Sequence, residues 1–291
     1  MPGLGNLVYS NIPENDYPEY NASLTYSVNA YVISTTDHKI YQSLTSNNRG
    51  NPLTDETNWL EVGYTNRWRL HDDSLQSRTE SPNGEIHNQY EVTGICTSVA
   101  ALNLVATEVQ VRMYDYIEGL VYDRTISLID SASVTNWYDY FFSTVPDFVP
   151  DAFFTDLPSY ANTLLDVVIR SGSSGSACGA LIIGELIDVG YTQYGAKVGI
   201  QDYSIKDQDQ FGNYRITERP YRKTGDFQLM VENSFVDQLQ NLLARYRAQP
   251  VLYIGSEQFS SMAIYGFYRS FDITVSYPQH SLCSINLEGL T

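Results

Sequence analysis

The chain has 291 residues, 43% of them hydrophobic, with 34 acidic against 17 basic side chains and a formal net charge of -17. A nucleic-acid partner needs a basic face that displaces counterions from phosphate, and no such excess exists here. Nor is there an apolar run of about 18 or more residues, the length that crosses a bilayer as a helix.

The charge is uneven. Residues 1–100 hold 5 bases and 12 acids, residues 101–190 hold 3 and 12, and residues 191–291 hold 9 and 10. A near-neutral last third suits a surface packed against other protein, and the acidic remainder suits one kept in solvent. The 24 Tyr, against 11 Phe and 3 Trp, fit half-buried strands and interfaces, where the ring packs and the hydroxyl stays wet. Cys96, Cys178 and Cys283 are an odd number at wide spacing, so each is expected to fill a small apolar site rather than a disulfide or a zinc centre. His38, His71, His87 and His280 never fall three or four apart, which argues against a histidine metal site. The opening "MPGLGNLVYS" has neither a basic nor an apolar leader region, which places folding in the cytoplasm where the chain is made.

In chain order, an arm (residues 1–16) leads into a polar stretch, "YQSLTSNNRGNPLTDETNWLEVG" (41–63), with boundaries expected near Arg67 and near Gly190. Pro82-Asn83-Gly84 reads as a turn. Segments rich in Val, Ile, Thr and Tyr between Gly, Asn, Asp and Pro breaks predict a mainly β chain. Examples are "ATEVQVRMYD" (106–115), "GLVYDRTISLID" (119–130), "LLDVVIR" (164–170) and "FDITVSY" (271–277). An aromatic loop from Trp137, broken by Pro146, Pro150 and Pro158, is expected to cover a sheet face or meet a neighbouring subunit. The glycine-rich run "RSGSSGSACGALIIG" (170–184) lacks the lysine of a phosphate loop, the dinucleotide-binding spacing and a nucleophile elbow. Its composition predicts a hairpin or tight β-connection.

"DQDQFGNYRITE" (207–218) puts Asp207, Asp209, Gly212 and Glu218 at four positions of a calcium loop. Phe211 offers no oxygen at a fifth, and neither flank is helical, so a polar hairpin around Gly212-Asn213 is favoured. One helix is expected over 234–247, where Phe235, Val236, Leu239, Leu242, Leu243 and Tyr246 share a face. Ser234 would cap it, and Pro250 would stop it before the strand "VLYIG". No pair of acids is singled out by spacing for acid–base work, and the chain is not read as an enzyme or assigned a cofactor.

From Tyr20 the order "YNASLTYSVNAYVI…KIYQSL…GNP…NWLEVG" resembles the small chitin-binding type of carbohydrate-binding module. Tyr26, Val32, Tyr41, Pro52 and Trp59 fall on its recurring positions. The resemblance implies a tiny aromatic core and sugar stacking on exposed rings, with Tyr31, Tyr41, Trp59, Tyr64 and Trp68 as the carbohydrate-binding candidates. Asn29 stands where the family has a turn glycine, and Asn tolerates the positive φ needed there. The exposed aromatic pair expected after the second Tyr is replaced by "SLTSNNRG" (43–50).

A wider likeness covers most of the chain. "SNIPENDYPEYN", "TNRWRLHDDSLQS" and "YGFYRSFDITVSYPQHSLCSINLEGLT" resemble tailed-bacteriophage tail proteins with such a module near the N-terminus. The last third is similar to the barrel of distal tail proteins, which form rings. This implies a module at 17–66, a jelly-roll-like β-sandwich at 67–190 and a β-barrel-like domain with one helix at 191–291. It also implies a virion protein of the tail tip or baseplate that assembles with itself in a cyclic ring and with other tail proteins, and contacts host surface polysaccharide. Leu239, Leu242, Tyr246, Phe267 and Tyr268 are the expected assembly residues. The alternative is a soluble carbohydrate-binding protein or glycan-active enzyme with an appended module.

Overall fold

The computed structural model describes residues 5–129, 149–172, 174–208, 210–256 and 259–290. Asp209 and the first part of the expected aromatic loop, residues 137–148, lie outside them; the rest of that stretch is not all loop, because Ala152–Phe154 is a strand and Phe154 is buried. The chain is mainly β and divides into two compact units, Met1–Leu186 and Ile187–Thr291.

The first unit opens with β1 (Gly5–Ser10). Five short strands follow: β2 (Thr25–Tyr26), β3 (Tyr31–Ser34), β4 (Lys39–Ser43), β5 (Asn48–Arg49) and β6 (Trp59–Tyr64). A 3-10 turn at Arg69–His71 leads to β7 (Thr79–Ser81), β8 (Glu85–Ile95), β9 (Ser98–Leu102), β10 (Glu108–Asp115) and β11 (Gly119–Ser127). The unit ends with β12 (Ala152–Phe154), β13 (Ala161–Arg170), β14 (Ser176–Cys178) and β15 (Ala180–Gly184).

β3, β4 and β6 form one small sheet, and β2 pairs with β5. The larger part of the unit is two sheets sharing a core. One has the order β1-β8-β13-β10-β11, and the other β12-β9-β15. Segments that the sequence reads as strands supply the inner faces: Val109, Val111 and Met113 of β10, with Leu165, Val167 and Ile169 of β13, meet Val99, Ala101, Phe154 and Leu181. Full burial of each such side chain contributes about 1.5–3 kcal/mol, so this is the stable part of the unit. β1, in the segment read as an arm, is the edge strand of the larger sheet, with Gly5 opposite Val92 and Ser10 opposite Asn88.

The turn at Pro82-Asn83-Gly84 joins β7 to β8, with Gly84 at φ +77. The glycine-rich run is a connection between sheets rather than a hairpin. β13 pairs with β8 and β10, β14 pairs with β7, and β15 pairs with β9. Turn composition marks a reversal but carries no information on which sheet receives the next strand. Cys96, Cys178 and Cys283 are free and fully buried, as their spacing implied. Burial pushes the Cys178 thiol up to about 12.

The second unit contains β16 (Tyr191–Thr192), β17 (Lys197–Asp202), β18 (Ile205–Gln208), β19 (Tyr214–Thr217) and β20 (Tyr221–Glu232). The helix α1 (Val236–Arg245) and the strands β21 (Val251–Ile254), β22 (Ala263–Thr274) and β23 (His280–Gly289) complete it. β16 and β17 both pair along β20, and the order continues β23-β22-β21. The end strands do not meet, so the sheet curls into a half-barrel. Close approach of β22 to β23 requires Gly266, because a Cβ there would lie 2.0 Å from the Glu288 carbonyl oxygen.

Leu239 and Leu243 of α1 pack on Phe227, Leu229, Val231, Ile264 and Ile285 of the sheet. The helix is shorter than its apolar period suggests, because the chain enters it through a 3-10 turn at Asn233–Phe235. Ser234 therefore lies inside that turn, its hydroxyl directed at Glu232 (3.4 Å), and does not cap the helix.

Candidate functional site

The small sheet of residues 17–66 is organised by rings. Trp59 is 2% exposed and packs with Val32 and Tyr41, flanked by Tyr20 and Tyr26. Tyr20 and Tyr26 meet Trp59 edge-on, with ring centroids 5.6 and 5.3 Å away, the geometry that aromatic quadrupoles favour. The Asn51 carbonyl oxygen accepts hydrogen bonds from Trp59 Nε1 (3.1 Å) and the Tyr20 hydroxyl (2.7 Å), so the two largest rings hang on one backbone atom. Asn29 has φ 65 and keeps the turn that a glycine would otherwise make.

Most of the polar stretch is exposed or half-buried, but two of its polar side chains anchor it from inside. Ser43 and Asn48 are buried, and Asn48 Nδ2 donates to Ser43 Oγ and to the Asn58 carbonyl oxygen, both at 3.1 Å. Asn51 Nδ2 donates to Asn48 Oδ1 (2.9 Å), and Thr45 Oγ1 to Asn58 Oδ1 (2.8 Å). Hydrogen bonds from the Thr57 hydroxyl and the Asn58 amide hold the Asp55 carboxyl below its ordinary value. Polar groups replace a larger apolar core here, each satisfied by a neighbour.

The five carbohydrate-binding candidates separate accordingly. Tyr41 and Trp59 are core residues, and neither presents a face to a sugar. Trp68 stacks on His38 with centroids 4.0 Å apart, then meets His71, which meets Tyr90 edge-on. That ladder is packing, and burial holds the His71 imidazole down at about 3, hence neutral. Tyr64 is partly exposed, but Lys39 Nζ sits 5.5 Å over its ring, held by Glu61 at 2.7 Å. Tyr31 and Tyr64 are the two of the five that stay exposed, at 36% and 37%.

Tyr31 has a companion that the sequence did not single out. Tyr17 stacks on it with centroids 5.0 Å apart and planes 21° from parallel, and the two are 41% and 36% exposed. The Pro18 carbonyl oxygen accepts from Ile33 N (3.1 Å), which docks the Tyr17 segment beside β3. Gln42, opposite Tyr31 in register, donates to Asn29 Oδ1 at 3.0 Å and supplies polar groups next to the rings. The Tyr17-Pro18 pair in "ENDYPEY" was the available signal, although its partner is fixed only by folding.

In the second unit Leu239 is fully buried, so it supports the surface from beneath and touches no partner. Leu242 and Tyr246 are half-buried. The Tyr268 hydroxyl donates to the Leu243 carbonyl oxygen at 3.0 Å, and Phe267 is exposed. More open apolar groups lie elsewhere in the unit. β18 and β19 pair only with each other, and Phe211 at their tip is 89% exposed, with Tyr214 and Ile216 beside it. Gly212, at φ +87, makes the turn that its sequence predicts. Asp207 faces Arg215 across this ribbon, Glu218 follows it, and Asp209 lies outside the described residues.

No family model, curated protein or solved structure matches the chain.

Proposed function

We propose that this chain is a structural protein of a bacteriophage tail tip or baseplate, assembling through its second unit into a ring and presenting its first unit outward. The observation that carries the reading is the exposed ribbon of β18 and β19. Two paired strands alone are marginal in water, and exposed apolar strands invite pairing unless they are covered. Phe211, Tyr214 and Ile216 stand open on that ribbon, and Val198 and Ile200 on the neighbouring β17 are also exposed. A second copy of the chain is the occupant proposed. A ribbon docked on a different face of the next copy makes a heterologous contact, which gives a ring where the rotation closes and a filament where it does not; the ring is the form proposed. The segment likeness to phage tail proteins supports the same reading.

The test is native mass spectrometry of the full chain and of a Phe211→Asp, Ile216→Asp double variant. A cyclic oligomer of three or more copies, lost in the double variant while its circular dichroism is retained, is the expected result. A wild-type chain that stays monomeric at about 100 μM, a concentration that populates even weak assemblies, overturns the reading.

The second reading, a carbohydrate-binding protein, is supported by the Tyr17–Tyr31 stack. Parallel, partly exposed rings with adjacent amides are suited to the apolar face of a pyranose. The two readings are compatible, since repetition around a ring multiplies a weak contact.

A further inference from the structure

The first unit holds 8 Lys and Arg against 23 Asp and Glu. With acids so much in excess, an unpaired base is unexpected, and most bases are indeed paired. Lys39, Arg67, Arg112, Arg124 and Arg170 each form a salt bridge. Among the described residues, Arg49, Arg69 and Arg78 form none. Two of these three, Arg69 and Arg78, line the same cleft, whose volume is about 570 Å³.

Asp16 and Glu80 line that cleft too, yet neither lies within salt-bridge distance of the arginines. The framework is set by other bonds. Asn66 Nδ2 donates to the Glu80 carbonyl oxygen and Asn66 Oδ1 accepts from Glu80 N, both at 2.8 Å, while Asn66 N donates to the Asp16 carboxyl at 3.2 Å. Thr79 Oγ1 accepts from Leu70 N (3.0 Å), tying the turn that carries Arg69 to β7. Arg78 Nη2 donates to Asn103 Oδ1, which orients the guanidinium and leaves its other donors without protein partners among the described residues. Ser176 also lines the cleft, and its buried hydroxyl has no hydrogen-bond partner.

We propose that this cleft binds an oxyanion carried on a saccharide, either a uronic-acid carboxylate or a sugar phosphate. Guanidinium groups match both oxyanions by paired hydrogen bonds. The carboxyl groups of Asp16 and Glu80 accept from sugar hydroxyls, and Val105 offers a small apolar wall. The volume falls within the range of small-molecule sites and admits one or two sugar rings. The Ser176 hydroxyl lies just behind the cleft wall without a partner, so a small local shift on binding would bring a ligand oxygen within its reach. Every residue involved lies in the first unit and none belongs to the Tyr17–Tyr31 pair, so the proposal stands independently of the assembly reading.

The experiment is calorimetric titration of the full chain with glucuronate, glucose 6-phosphate, glucose and inorganic phosphate, each to about 10 mM, where affinities of isolated sugars are measurable. Saturable binding of glucuronate or glucose 6-phosphate, weakened about tenfold or more in Arg69→Gln and unchanged in Arg49→Gln, supports the proposal. Which of the two sugars binds tells carboxylate from phosphate. Ser176→Ala removes the hydroxyl without adding volume at this buried position, and is expected to weaken binding while leaving the free protein about as stable. No binding of either acidic sugar, equal binding of glucose, equal binding of inorganic phosphate, or unchanged affinity in Arg69→Gln overturns it.

Discussion

The stretch from Ser43 to Asn58 and the ribbon from Ile205 to Thr217 look alike on paper. Both are short, rich in Asn and Asp, and marked by a glycine at positive φ, Gly50 in one and Gly212 in the other. Folded, they are turned opposite ways. In the first, Ser43 and Asn48 are buried with their hydrogen bonds complete. In the second, Tyr214 and Ile216 stand in solvent, Ile216 at 67% exposure. A polar group goes inside when every donor finds an acceptor, and an apolar group stays outside when no facing surface exists within the chain. The first region is therefore finished by its own fold, and the second awaits another surface.

This contrast can be broken by substitution. Trp59→Ala should cost about 3–5 kcal/mol in denaturant unfolding of the first unit, the usual cost of emptying a buried aromatic site. A loss under about 1 kcal/mol would mean that the tyrosines alone hold the small sheet. Asn48→Ala comes next, at about 2 kcal/mol, because Ser43 and the Asn58 carbonyl lose a buried partner. If the loss is no larger than that of an exposed Asn, the interior network is ornamental.

A smaller effect follows from His71. Burial lowers its folded-state value from 6.5 to about 3, so the unfolded chain binds the proton more readily. Its contribution to stability is complete above pH 6.5 and declines as pH falls toward 3. Between pH 6.5 and about pH 5 the loss should be about 1–2 kcal/mol, and His71→Asn should remove that slope. An unchanged slope would show that carboxyl groups alone set the acid response. The smallest effect belongs to the ribbon, where Ile216→Thr should change unfolding free energy by no more than about 0.5 kcal/mol in the monomeric state. A loss near that of a core residue would mean that the ribbon is packed within the chain.

Legibility in the sequence followed the range of the interaction. The period of Phe235, Leu239 and Leu243 located α1, and runs of Val, Ile, Thr and Tyr between turn residues located β10 and β13, because those patterns are local. Asn29 and Gly212 announced their turns for the same reason. The start of α1 was misplaced, since Ser234 is a good cap only if the preceding turn leaves it free to act as one. The glycine-rich run was recognisable as a connection, but the choice of β9 as partner for β15 is a tertiary fact. Tyr17 was missed because its stack with Tyr31 joins segments fourteen positions apart (31 minus 17) with no periodic signal. The cleft was invisible for a stronger reason: whether an arginine forms a salt bridge depends on its distance from every acid in the fold, and sequence does not list distances.

The three buried cysteines give each unit its own clock. Cys96 and Cys178 sit in the first unit and Cys283 in the second, all free and fully enclosed. A thiol reagent added to the native chain reaches them only when the surrounding sheet opens, so modification rates report opening unit by unit. If the second unit is covered by neighbouring copies, only the Cys283 clock runs slow on assembly, while Cys96 and Cys178 keep the time of the isolated chain.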